Sequence, residues 1–177
     1  VVAVVVALWT AFRRITGENQ VFPSLRIRAG RLGLGLAVGL ATFAAFAATS
    51  LPVADLLFKG RDLSLARVRP WIPWILVFVL ANAFAEELLF RGLLLGRLEP
   101  FFGRFPANLL VAIPFYLLHH GVPYTASDLA FAAVLVPLAL AWGWLMQKTA
   151  SIWGSVLFHA GAAIPVMVGI FSNLPGA

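Results

Sequence analysis

Glu86 and Glu87 stand side by side in a long, mainly apolar stretch, residues 70–98. Carboxylates in such a setting are costly. A charge at a bilayer centre costs about 2.5–3.5 kcal/mol on insertion scales, so intramembrane ionisable residues face the protein interior and are functional by default. Helical spacing divides the pair. Glu87 and Arg91 are four residues apart and lie on one face, where they can form an ion pair. Glu86 is about 100° further round the helix and has no obvious cationic partner nearby in sequence. A carboxylate desolvated on one side and close to a guanidinium on the other is suited to general-base work. Asn82, one turn before Glu86, is a candidate to orient it.

The chain has three histidines, His119, His120 and His159, all in or beside apolar runs. Depth measured from one membrane face, at 1.5 Å per residue, places Glu86 about 18 Å, His119 about 21 Å and His159 about 12 Å in. A glutamate and two histidines from three separate segments thus share one layer. Taken singly, each histidine has a blander reading. His119 or His120, just before Gly121, can sit at an interface, and His159 can be an ordinary interhelical hydrogen-bond partner. Together with two adjacent carboxylates, the set points to a buried reactive centre.

The elements that must position these residues follow from composition. Hydrophobic residues make up 62% of the 177 and charged residues 11%, against about 25% charged in soluble domains. Six apolar segments stand out, at 1–12, 32–58, 70–98, 105–121, 128–146 and 151–173. A spanning helix needs about 20 apolar residues. The first segment is too short for that, and the chain opens within it without a methionine, which reads as a trimmed start. The expected fold is all-α: a polytopic transmembrane bundle of about six helices with a four-helix catalytic core. Residues 1–69 form the N-terminal segments and basic loops and residues 70–177 the core, in one structural domain. Pro73, Pro114, Pro137 and Pro165 fall inside segments, as transmembrane helices tolerate. Trp71, Trp74, Trp142, Trp144 and Trp153 fall near segment ends, where interfacial aromatic belts form. The Gly35-x-x-x-Gly39 spacing suits close helix packing, or marks small residues with no dimer role.

The net charge of +6 is concentrated between the apolar runs, at Arg13, Arg14, Arg26, Arg28 and Arg31 and at Lys59, Arg61, Arg67 and Arg69. That is the distribution of membrane topology signals rather than of a nucleic-acid surface. If all six segments cross, the face carrying Arg13, Arg14, Arg26, Arg28, Arg31, Arg97, Arg104 and Lys148 is cytoplasmic by majority. The absence of cysteine excludes disulfides, thiolate metal sites and cysteine nucleophiles.

The run Glu86-Glu87-Leu-Leu-Phe90-Arg91-Gly92 closely resembles the first signature of the CAAX-protease and bacteriocin-processing (CPBP) family of intramembrane endopeptidases. Phe115-Tyr-Leu-Leu-His119 resembles the family's second signature, Phe-x-x-x-His. His159-Ala-Gly-Ala-Ala163 is similar to the third, His-x-x-x-Asn. The resemblance covers about residues 70–173. It implies that Glu86 and His119 hold and activate a hydrolytic water, that His159 stabilises the oxyanion, and that Glu87 and Arg91 brace the site. Ala163 departs from the pattern, because a methyl group donates no hydrogen bond. Losing one oxyanion donor can cost about 10²–10³ in rate. Asn82 is a candidate substitute.

The expected activity is therefore hydrolysis of peptide bonds in membrane-associated substrates, CAAX-type tails or leader peptides, by water activated at Glu86. The catalytic set is Glu86, His119 and His159, supported by Glu87, Arg91, Asn82 and Phe115. No metal is favoured, since the His-Glu-x-x-His motif is absent. The alternative is zinc on Glu86, His119 and His159, a three-ligand set of the catalytic type. The expected partners are the lipid bilayer and a peptide or lipidated protein, with no nucleic acid, in a multi-pass protein of the cell membrane. Two rival readings are a catalytically impaired scaffold or bacteriocin-immunity protein, which Ala163 favours, and a proton-coupled transporter, since buried Glu and His also form proton relays.

Overall fold

A computed structural model describes residues 30–58, 63–120 and 128–172. Helices account for the regular structure of these residues, with no strand among them. In chain order they are α1 (Leu32–Ala48), α2 (Ser50–Leu57), α3 (Leu65–Phe102), α4 (Arg104–His119), α5 (Asp128–Thr149) and α6 (Ile152–Phe171). The outer surfaces of these helices carry exposed Val77, Phe78, Ile113, Leu118 and Val134. Such an exterior suits lipid and not water, and the chain is an all-α helical membrane bundle.

α6 is the central helix and touches α1, α2, α3 and α5. Its small residues allow close approach. A Cβ placed on Gly39 would lie 2.9 Å from the Gly154 carbonyl, and one on Gly154 would lie 2.9 Å from the Gly35 carbonyl. Gly35-x-x-x-Gly39 therefore packs α1 onto α6 within the chain, by the small-residue mechanism of membrane helices.

α3 positions the centre of the molecule. Pro70 and Pro73 each sit at the first turn of a segment within it, the 3-10 turn Arg69–Trp71 and the α-helix that begins at Ile72, positions that suit a residue without an N–H. It runs as a regular α-helix from Ile72 to Glu87, widens to a π-helix over Leu88–Leu95, then returns to α over Gly96–Phe102. π-Helical turns are rare and concentrate at functional sites. This one begins directly after Glu87 and buries Leu89, Phe90, Arg91, Gly92 and Leu93 in succession. Gly103, at φ 78°, ends the helix by adopting the left-handed conformation and lets α4 start at once. Ala150 and Ser151 alone join α5 to α6, with Ala150 at φ 54°, so these two helices are antiparallel neighbours.

Two expectations concern how these helices meet the membrane. Among the described residues three helices are long and apolar enough to cross a membrane, α3, most of α5 and α6, and the α1–α2 pair, bent by 62°, is a fourth if it counts as one span. α4 has 16 residues, about 24 Å at 1.5 Å per residue, which is short of a hydrocarbon core of about 30 Å. Segment 1–12 lies outside the described residues. Second, Trp142 is not an interfacial tryptophan. It is 1% exposed, in the core, whereas Trp144 is 56% exposed. Two residues apart on a helix are about 200° apart, so only one of the two can face lipid.

Candidate active site

α3, α4 and α6 each bring one ionisable group to the same point. Glu86, 7% exposed, lies on the buried side of α3. On α4 the buried residues Asn108, Val111, Ala112 and Phe115 form one stripe, and His119 continues it at the last turn. His159 lies midway along buried α6. His119 Nε2 is 3.8 Å from Glu86 Oε1, and His159 Nε2 is 3.6 Å from Glu86 Oε2. The layer inferred from depth is therefore a real meeting of three helices. His120 is exposed and lies 3.4 Å from the Tyr116 hydroxyl, outside this cluster.

Hydrogen bonds set the direction of each imidazole. His159 Nδ1 is 2.9 Å from Glu87 Oε1, so Nδ1–H donates to that carboxylate. His119 Nδ1 donates to the Phe115 carbonyl at 2.8 Å. This tautomer assignment follows from the acceptors, since a carboxylate and a carbonyl can only accept. Both Nε2 atoms are then turned toward Glu86. Among the described residues, Glu86 Oε2 itself is buried without a hydrogen-bond partner.

Glu87 is the braced member of the pair. Both Glu87 and Arg91 are 0% exposed, and Arg91 Nη1 donates to Glu87 Oε1 at 2.8 Å. Arg91 Nη2 donates to the Ala139 carbonyl of α5 at 2.8 Å. The guanidinium also lies 5.0 Å from the Phe115 ring and 5.3 Å from the Trp142 ring, within cation–π range. Phe115, fully buried, stacks on His119 at 4.5 Å and meets His159 edge-on at 5.5 Å.

One expected participant lies elsewhere. Asn82 is half-buried in an outward-facing groove with Trp74, Phe78 and Ala85, and no hydrogen bond joins it to Glu86. Ala163 packs beside the apolar cluster of Val79, Ala83 and Ala160. One participant was missed. The Trp142 ring lies on the His159 ring at 4.0 Å and 12°, a parallel stack. The signal was the spacing of Trp142 from Trp144, which forces one of the two inward.

Zinc on Glu86, His119 and His159 can be tested on the donors themselves. Among the described residues no three His, Cys, Asp or Glu side chains form a group able to hold a metal ion.

Comparison with known proteins adds the family. The family model for the type II CAAX prenyl endopeptidase, Rce1-like, matches residues 68–164, more than half of the chain. The match runs from the start of α3 into α6 and includes every residue of the cluster. Neither the curated proteins nor the solved structures contain a match to this chain. Three signatures on three helices and a family match over the same residues lead to one conclusion: this chain belongs to the Rce1-like type II CAAX prenyl endopeptidase family.

Proposed function

We propose that this protein is an intramembrane endopeptidase, a multi-pass protein of the cell membrane that cleaves peptide or lipidated protein substrates with water activated by Glu86. The observation that carries the reading is the approach of two imidazole Nε2 atoms to one buried carboxylate.

Charge balance guides the mechanism. Ionised Glu86 and Glu87 against Arg91 leave one net negative charge in a buried site, and a buried uncompensated charge is expensive. One proton shared by Glu86, His119 and His159 makes the cluster neutral. With that proton on an imidazole, Glu86 is the free base. A water held between Glu86 and the imidazoles attacks the scissile carbonyl carbon and gives its proton to Glu86. The carbonyl oxygen gains the negative charge and faces the imidazolium. Glu86 then passes the proton to the amide nitrogen as the C–N bond breaks. Glu87 holds the His159 ring through Nδ1–H, and Arg91 offsets the charge on Glu87. General-base participation of this kind contributes about 10²–10⁴ in rate.

The test is cleavage of membrane peptides by the purified wild-type protein and by Glu86→Gln. Loss of cleavage in the variant supports the reading, and equal cleavage by the two proteins overturns it. Chelator treatment adds a second readout: activity lost on chelation and restored by zinc would replace this mechanism with a metal-dependent one. The scaffold reading draws support from Ala163, and inactivity of wild type toward membrane peptides would favour it.

A further inference from the structure

A second feature lies on the opposite side of α5 from the cluster. Ala139 and Trp142 of α5 face Arg91 and His159. Leu140, Ala141 and Trp144 instead line a groove of about 550 Å³ between α4 and α5. Phe105 and Pro137 complete its apolar walls, and Arg104 and Lys148 stand in its lining beside them. The volume lies within the range of about 300–1,000 Å³ usual for small-molecule sites.

Arg104 is joined to Gln147, the neighbour of Lys148 in sequence, by a reciprocal clasp. Gln147, 6% exposed, donates from Nε2 to the Arg104 carbonyl at 2.8 Å. Arg104 Nη2 donates back to the Gln147 carbonyl at 3.2 Å. The start of α4 is thereby fixed to the end of α5. Arg104 also meets Glu99 through Nε at 3.2 Å, but its side chain remains 64% exposed. Lys148 is exposed, lies 5.8 Å from the Trp144 ring centroid and has no acidic partner among the described residues. An apolar groove on the outside of a membrane bundle, with a clasped arginine and an exposed lysine beside an exposed tryptophan, is complementary to a ligand with an anionic head and an apolar chain.

We infer that this groove binds one acidic phospholipid of the surrounding bilayer, with the phosphate at Arg104 and Lys148 and an acyl chain against Phe105, Pro137 and Leu140. Basic residues near a membrane surface attract acidic headgroups at about 1 kcal/mol per Lys or Arg, so two give a preference on the order of tenfold or more over a zwitterionic lipid. Trp144 places its ring at the level of the headgroup. The clasp lowers the cost of ordering Arg104 at the groove, which favours a bound lipid over a diffuse cloud.

Native mass spectrometry of the purified chain tests this, with phosphatidylglycerol and phosphatidylcholine of identical acyl chains added at equal concentration. The expected result is one retained phosphatidylglycerol, preferred about tenfold or more. The preference should vanish in the Arg104→Ala, Lys148→Ala double variant and survive in Arg104→Lys, Lys148→Arg. Arg69→Ala, at the other end of α3, should leave it unchanged. Ala141→Trp, which fills the groove, should displace both lipids. Equal retention of the two lipids by wild type overturns the proposal. So does a preference that persists in the double alanine variant, or one that Arg69→Ala abolishes equally. Retention is read without any cleavage assay, so its outcome is independent of the proposed peptidase activity.

Discussion

Replacing each glutamate of the pair by glutamine should have opposite consequences. Glu87→Gln keeps an oxygen for Arg91 Nη1 and His159 Nδ1, now 2.8 and 2.9 Å from Glu87 Oε1, but removes the charge. Arg91, 0% exposed, is then a buried cation without its countercharge. Removing one partner of a buried pair costs about 3–5 kcal/mol. Arg91 retains the Ala139 carbonyl and the Phe115 and Trp142 faces, so the lower end, about 3 kcal/mol, is expected. That is about a hundredfold in the ratio of folded to unfolded protein. Glu86→Gln loses no hydrogen bond, only contacts of 3.6 and 3.8 Å. Its stability should change much less than that of Glu87→Gln, while cleavage falls by about 10²–10⁴. Reversible unfolding in mixed micelles reads the first quantity and peptide cleavage the second. If Glu86→Gln is as destabilising as Glu87→Gln, or if it cleaves at the wild-type rate, the division of the pair into a braced and a reactive member is wrong.

Three further outcomes follow from the packing. Gly39→Leu should destabilise the bundle by about 1–3 kcal/mol in the same unfolding assay, because its Cβ meets the Gly154 carbonyl at 2.9 Å. Trp142→Leu removes the ring stacked on His159. It should lower kcat about tenfold with little change in KM and move the His159 imidazole NMR signals, whereas Trp142→Phe should recover most of the rate. Ala163→Asn restores a hydrogen-bond donor one turn after His159, and should raise the cleavage rate by up to about 10². It should have no effect in a Glu86→Gln background.

Much of the site could be read along the chain because it rests on helical periodicity and on the cost of charge in lipid. Glu87 and Arg91 pair because residues four apart share a face, and their mutual distance needed no tertiary information. The meeting of Glu86, His119 and His159 was legible only as a shared depth, since depth follows from counting residues along each span. Which way each imidazole points was not legible. It is set by the Phe115 carbonyl within α4 and by Glu87 across from α6. Asn82 looked available to Glu86 at one turn, yet it faces the outer groove. Regular spacing does not say which neighbouring helix covers which face.

Composition and spacing alone determined that this chain is a helical membrane bundle, that Glu86 and Glu87 are unequal, and that two histidines belong with them. Those conclusions depend on local geometry and on solvation, which every residue carries with it. Only the tertiary structure decided that Trp142 lies on His159 and not in an interfacial belt, and that Gly35 and Gly39 serve α6 of the same chain. It also joined Arg104 to Gln147 across 43 positions. Contacts between helices depend on which faces meet, and that choice belongs to the packing of the whole bundle.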